Sequence, residues 1–452
     1  MNLPSDFIES LAGIPGFKRD TFIRSHAEGN TLTSIRLNPS KKINRSSPPD
    51  DQSFTPVPWT SLGYYLGRRP SFTFDPLFHA GCYYVQEASS MFLEQALKQT
   101  VPLHEPLRVL DISAAPGGKS THIQSLISPE SLLVSNEVIR SRALVLRDNI
   151  IKWGGGNVVV TNNDPEDFTQ LENYFDLIVA DAPCSGSGLF RKEPDAVNEW
   201  SLNQVQLCSK RQQRILADII PALRPGGVLV YSTCSYSREE DEEIVEWLLR
   251  EFDLDYQPLV IDPSWGITDT GKGYRFWPDQ VRGEGFFLAC LRRRKQSEGA
   301  DLRRGTTQKM NEPGKKETEM ILHWIEGAGK KFIRHDNTVY AWPGDLVYDF
   351  SFLLRKLKVM YSGVKAGELV RDKMIPDHAL ALSGWVTTAI PRAELNLEQA
   401  IRYLQRRELE WKGDGTGWML VVFQQQPLGW VNVLHNRINN YYPKELRILK
   451  DR

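Results

Sequence analysis

The chain has 452 residues, of which 41% are hydrophobic and 25% charged, enough for two or three cored domains and unlike a disordered tail. Its 55 Lys+Arg and 56 Asp+Glu nearly cancel, yet residues 107–292 carry a net −9 and residues 293–452 a net +8. The five cysteines are odd in number and form no Cys-x-x-Cys, which disfavours a disulfide framework and a zinc ribbon, and no apolar stretch approaches the length of a membrane span.

The start, MNLPSDFIESL, is polar and acidic and lacks the basic-then-apolar pattern of an export leader, so a reducing cytoplasm is expected. Residues 1–106 form a first region, in which Tyr64, Tyr65, Arg68 and Arg69 mix aromatic and basic groups. Residues 107–292 alternate short apolar runs with helical patterns. The runs are LRVLD (107–111), LLVSNE (132–137), NVVVT (157–161), FDLIVAD (175–181), GVLVYS (227–232) and FFLACL (286–291). Helices are predicted over 141–152 and 204–223, and Arg224-Pro225-Gly226 predicts a turn. Such alternation predicts a parallel sheet covered by helices on both faces, with ligands at the carboxyl ends of the strands. Residues 293–316 hold only Ala300, Leu302 and Met310 as apolar residues and read as a linker. Residues 317–452 form a basic C-terminal region, whose charge fits either a nucleic-acid partner or a solvated surface.

The residues that end the strands carry the chemistry. After Asp111 comes Ile112-Ser113-Ala114-Ala115-Pro116-Gly117-Gly118-Lys119-Ser120, whose small residues let a backbone approach a ligand just before a helix. Glu137, at the next strand end, is placed to accept hydrogen bonds from ribose hydroxyls. Asp164 and Asp181 follow the third and fourth strands. Four acids at four strand ends suit a ligand with a ribose, an amine and a positive centre, and serve a pyrophosphate poorly. Gly118-Lys119-Ser120 imitates the end of a phosphate-binding loop, but position 113 is Ser where that loop needs Gly, and G-x-G-x-x-G is absent.

Cys184, in DAPCSGSG (181–188), and Cys234, in STCS (232–235), each lie just past a strand end among small polar residues, where a thiolate can be activated. Cys82, Cys208 and Cys290 read as packing residues. A thiolate suits one reaction in particular. Cytosine C5 is too poor a nucleophile to take a methyl group until a thiolate adds to C6 and turns the ring into an enamine-like species. The residues alone do not say which cysteine attacks.

Taken together, SAAPGGKS (113–120), the Glu137–Arg142 spacing, Asp164, DAPCSGSG and STCS resemble the RNA cytosine-C5 methyltransferases of the NOL1/NOP2/Sun family. SIRLNP (34–39), YVQEASS (84–90), RFWPD (275–279) and GEGFFLACL (283–291) extend the resemblance over residues 1–292. Residues 363–383 and 427–448 look like the tail of the bacterial RsmF-like branch, which modifies small-subunit ribosomal RNA. The resemblance implies an α/β fold: a Rossmann-like class I methyltransferase core with a seven-stranded mixed sheet, an N-terminal α+β region, and a PUA-like RNA-binding fold at the C-terminus.

The same resemblance implies S-adenosylmethionine as methyl donor and no metal. Ser113, Ala114, Ala115, Pro116, Gly117, Gly118 and Lys119 would wrap its methionine end. Glu137 and Arg142 would serve the ribose, Asp164 the adenine, and Asp181, with Lys119, the target base and cofactor. Cys234 would be the nucleophile and Cys184 would assist product release. In the C-terminal region Trp430, Arg437, Tyr441, Tyr442 and Lys444 could stack on bases and meet phosphates, or the aromatics could be core. The expected partner is 16S rRNA or the 30S subunit, with the protein a monomer. Alternatives are the same chemistry on tRNA or 23S rRNA, or a ribosome assembly factor that keeps the fold without catalysis.

Overall fold

The computed structural model describes residues 3–29, 31–41, 54–295, 310–409 and 415–451. Its centre is a mixed sheet built from β1 (Arg108–Asp111), β2 (Leu132–Asn136), β3 (Val158–Thr161), β4 (Phe175–Asp181), β5 (Leu223–Thr233), β6 (Leu254–Tyr256), β7 (Thr268–Asp269), β8 (Tyr274–Phe276), β9 (Phe286–Arg293) and β10 (Val359–Ser362). The order is β7-β8-β9-β5-β4-β1-β2-β3-β10, with β6 also beside β9. Strands β1 to β5 are parallel to one another, and β9 runs antiparallel to β5. Val, Ile and Leu dominate β1 to β5 because helices cover both faces. Those helices include α1 (Gly118–Leu126), α2 (Arg140–Trp153), α3 (Leu202–Ile219) and α4 (Glu242–Glu251).

Two differences from the sequence reading stand out. The sheet has ten strands among the described residues, not seven. The four strands beyond the six apolar runs read from the sequence are two to four residues long, too short to carry an alternating pattern, and one of them, β10, comes from the C-terminal region and pairs antiparallel with β3. The expected turn at Arg224-Pro225-Gly226 lies inside β5, where the turn residues produce a register shift against β4 and Gly226 takes φ +79°.

The N-terminal region holds a four-stranded antiparallel sheet ordered Phe54–Pro56, Gly63–Leu66, Thr33–Leu37, Tyr83–Val85. Its first two helices, Ser5–Ser10 and Arg19–Glu28, instead pack Phe7 and Phe22 against Phe190, Trp200, Tyr236 and Trp277 of the central domain. The C-terminal region has two sheets rather than one body. The strands Lys330–His335, Thr338–Pro343, Val364–Val370 and Lys373–Pro376 form the first, and Arg392–Glu394, Gly417–Phe423, Gln426–Leu434 and Arg437–Asn440 the second. Ile333, Trp342 and Phe350 share a core with the central sheet, while Leu404, Val421 and Tyr442 share one with Ile35, Leu37 and Tyr83 of the N-terminal sheet. The C-terminal region is thus packed on both other regions. Residues 296–309 of the expected linker lie outside the described residues, and Lys315 already begins a helix. Among the described residues no helix is long and apolar enough to cross a membrane.

Candidate active site

The parallel register brings the predicted residues to one rim. Asp111 ends β1, and Gly117 follows it at φ +114°, a left-handed turn that a side chain would strain, so that α1 starts at Gly118. The loop is tied from outside: Arg142 donates to Ala115 O at 2.9 Å, and Asn149 to Pro116 O at 2.8 Å. A Cβ on Gly118 would meet Tyr84 at 3.5 Å and Gln86 at 3.9 Å, ordinary contacts with the N-terminal sheet and the loop that follows it. Ser113 is half-buried beside the buried Ala114 and Ala115, and Pro116 is exposed.

The acids differ in environment. Asp111 is fully buried, accepts from Ser120 Oγ at 2.7 Å and leaves its second oxygen without a partner. Burial pushes its carboxyl up to about 7, the Ser120 hydrogen bond opposing and the nearby Asp181 charge adding. Glu137 is 3% exposed and accepts from Ile139 N at 2.9 Å, with Arg142 3.5 Å from its other oxygen. Asp164 is half-exposed, 3.3 Å from Arg214. Asp181 holds Lys119 at 2.8 Å and accepts from Ser232 Oγ at 2.8 Å, so both its oxygens are oriented. Burial works against the Lys119 charge, but the Asp181 carboxylate outweighs it and raises the lysine above its ordinary value.

Asp181 pairs with Ser232 across β4 and β5, which sets the loops that follow side by side. Cys184 Sγ and Cys234 Sγ lie 3.1 Å apart, both half-buried and free of any disulfide. The Cys184 thiol is pushed well up, first by its contact with the Cys234 sulfur and then by burial. Cys82, Cys208 and Cys290 are buried packing residues. Gly188 N donates to Cys234 O at 2.8 Å, and a Cβ there would lie 2.5 Å from Gly285 O and 2.7 Å from Cys234 O. Both obstacles are backbone, so Gly188→Ala must move a thiol loop, and it is expected to lower turnover about a hundredfold. Wild-type turnover in that variant would contradict this geometry.

Sheet order, loop and strand-end acids define a methyltransferase of the Rossmann-like class. The family model for 16S rRNA methyltransferase RsmB/F matches residues 98–292, that for the N-terminal domain of 16S rRNA methyltransferase RsmF residues 3–88, and that for the methyltransferase RsmF PUA domain residues 391–448. The ribosomal RNA small subunit methyltransferase F of Aeromonas salmonicida is 33% identical, the match covering 98% of this chain and 97% of that protein. That of Cronobacter sakazakii is 32% identical, covering 98% and 96%. The chain belongs to the RsmB/F family of RNA methyltransferases, in its RsmF branch. A methyltransferase homologue from Pyrococcus horikoshii superposes with a TM-score of 0.51 at 28% identity, over 64% of this chain and 100% of that one. An NSun6 structure with SFG from the same organism shares the fold, with a TM-score of 0.55 at 21% identity over 65% and 99%.

The structure adds residues that the sequence reading passed over. Arg36, fully buried, donates to Gln86 Oε1 at 2.9 Å, Thr121 Oγ1 at 2.6 Å and Gly118 O at 3.3 Å, bolting the N-terminal sheet to the start of α1. It lies within SIRLNP, but nothing local says that a lone arginine is buried. Glu240 and Arg275, described below, stand behind the thiols. Among the aromatics, Tyr65, Trp430 and Tyr442 are core residues at 2%, 1% and 3% exposure. Tyr441 stays at the surface against Trp418, ring centroids 4.4 Å apart, with Arg437 and Lys444 exposed nearby in sequence.

Proposed function

We propose that this protein transfers a methyl group from S-adenosylmethionine to C5 of cytosine in small-subunit rRNA, in the cytoplasm, through a covalent bond between Cys234 and C6. The observation that carries the reading is the pair of thiols 3.1 Å apart beside the oriented Asp181 carboxylate. A methyltransferase acting on an exocyclic nitrogen needs no thiol, and an assembly factor needs neither.

The loop fits the methyl donor. Its residues 113–118 are all small, Glu137 offers a buried carboxylate to a ribose, and Asp111 keeps an oxygen without a partner beside the loop. Ser113 to Lys119 would hold the methionine end, Glu137 and Arg142 the ribose side, and Asp164 the adenine edge. Bound there, S-adenosylmethionine supplies an electrophilic methyl group. The protein's own groups do the rest. Cys234 adds as thiolate to C6 while Asp181, steadied by Lys119, holds the N3 side of the base, and electron density moves to C5. After C5 is methylated its proton is removed, and the C6–sulfur bond breaks to return the thiolate. The neighbouring sulfur and burial raise the Cys184 thiol, and in the 3.1 Å contact either sulfur can be the donor. Cys234 as the attacking sulfur and Cys184 as the group that assists release are the roles that the resemblance of STCS and DAPCSGSG to the family's segments implies.

The target base must leave its stack to reach the thiols. RNA substituted with 5-fluorocytidine tests the chemistry, since fluorine at C5 cannot leave as a proton. With S-adenosylmethionine, a stable adduct through Cys234 is expected, and none with 5-fluorouridine RNA. An adduct at another residue would overturn the assignment. The surface reading of the PUA domain is tested without deletion, because the C-terminal region completes the central sheet. Arg437→Glu with Lys444→Glu is expected to weaken RNA binding and to lower its salt slope by about 1 to 2. An unchanged slope would place the RNA elsewhere.

A further inference from the structure

The residues that follow the two thiols are small and polar, and Gly188 N ties the first loop to Cys234 O at 2.8 Å. Ser185-Gly186-Ser187-Gly188 follows Cys184 with small residues only, and Gly186 sits at φ +73° with nothing within 4 Å of its Cβ position. On the other side, Cys234 is followed by Ser235. Yet the sulfurs are held 3.1 Å apart. A fully buried carboxylate that takes no part in the chemistry above spans both loops. Glu240 Oε1 accepts from Ser185 N at 2.7 Å, while Oε2 accepts from Ser185 Oγ at 2.6 Å and from Ser235 Oγ at 2.6 Å. Ser185 is the residue after Cys184 and Ser235 the residue after Cys234, so one side chain grips each loop next to its sulfur.

Glu240 is itself held. Tyr231, buried within β5, donates its hydroxyl to Glu240 O at 2.5 Å. The next residue, Asp241, accepts from Thr233 Oγ1 at 2.5 Å and lies 3.1 Å from Arg275, which also pairs with Glu242. This second tie steadies the residue before Cys234. The hydrogen bonds of the Glu240 carboxylate go to the residues that follow the two cysteines, so its hold on the sulfurs runs through the loops.

We infer that Glu240 is a positioning residue that locks the Cys184 and Cys234 loops in register, so that both sulfurs meet the same carbon framework of one base. This rests on the two-thiol reading above. A displacement of about 1 Å at such a site lowers turnover about a hundredfold. Glu240→Ala removes all three acceptor contacts. Glu240→Gln keeps an oxygen for the Ser185 N–H and an amide that donates to a serine hydroxyl.

The experiment has two readouts on the full-length protein. The first is geometric and needs no RNA. Hydrogen peroxide oxidises the two thiols to a disulfide, with loss of two protons and two electrons, and is reduced to two waters. The Cys184–Cys234 disulfide, followed by peptide mass, is expected to form at least about tenfold more slowly in Glu240→Ala and near the wild-type rate in Glu240→Gln, as follows if the loops separate. The second readout is steady-state kinetics: kcat is expected to fall about 10- to 100-fold in Glu240→Ala, with KM for RNA and for S-adenosylmethionine within about twofold, and Glu240→Gln is expected to recover most of it. Retained S-adenosylmethionine binding by Glu240→Ala marks a folded domain. Should that variant not fold, Ser185→Ala and Ser235→Ala each remove one tether and are expected to shift both readouts in the same direction. Wild-type disulfide kinetics in Glu240→Ala, or in both serine variants, would overturn the inference, as would equal losses in the Ala and Gln variants. Failure of the two-thiol reading looks different: Cys234→Ala would keep methyl transfer while the disulfide rates stayed as expected.

Discussion

Cys184→Ala is expected to accumulate a covalent enzyme–RNA adduct, and Cys234→Ala is expected to form none and to lose methyl transfer by at least about a thousandfold. The asymmetry follows from the roles proposed for the two sulfurs, which lie 3.1 Å apart with either able to donate. Removing the attacker ends the reaction at its first bond. Removing its neighbour leaves addition and methylation intact but withdraws help from the step that breaks the sulfur–carbon bond. The adduct is read by denaturing electrophoresis with labelled RNA. The reverse pattern, an adduct in Cys234→Ala and none in Cys184→Ala, would exchange the two roles.

Arg275→Met is expected to destabilise the central domain by about 3–5 kcal/mol, because it strips the cation from two buried carboxylates. Arg275 is 1% exposed, 3.1 Å from Asp241 and paired with Glu242, and it donates to Tyr236 O at 3.0 Å. Methionine fills the volume and satisfies neither acid. For a domain of this size the loss corresponds to a fall of about 10 °C in the melting transition. The deficit depends on pH, with a definite sign. Burial holds the Asp241 carboxyl well above its ordinary range, with Arg275 pulling against it. A carboxyl raised in the folded state favours folding while it is protonated, and that contribution is lost as pH rises through the raised value. Without Arg275 the rise is larger, so the variant is expected to lose more stability at pH 8 than at pH 5. Equal losses at both would show that the charge pair is not the cause.

Much of the catalytic region could be read from the chain because its strands are buried on both faces. The runs at 107–111, 157–161 and 175–181 are apolar for that reason, and the acids that follow them mark the ends of β1, β3 and β4. The rim residues were legible because a parallel sheet puts strand ends together whatever the side chains are. The short strands were not: β7, Thr268–Asp269, has two residues and no pattern to find. Nor was β10, because an edge strand supplied from residues 359–362 has no local signal for joining a sheet built some two hundred residues earlier. Buried charge was hidden for another reason. REEDEE (238–243) looks like a solvated acidic run, yet Glu240, Asp241 and Glu242 are all buried because serine hydroxyls, Thr233 and Arg275 receive them. The aromatic residues of the C-terminal region show the same limit. Trp430 is core because its indole N–H reaches Asp377 O at 2.8 Å, a partner outside the range matched by the PUA model.

The most direct test of the function is methyl transfer from labelled S-adenosylmethionine to 16S rRNA and to 30S subunits, followed by digestion to nucleosides and mapping. Label in 5-methylcytidine at defined small-subunit positions, absent with Cys234→Ala, is the expected result. Label in a nucleoside methylated elsewhere than C5, or label that survives Cys234→Ala, would contradict the account at its chemical centre.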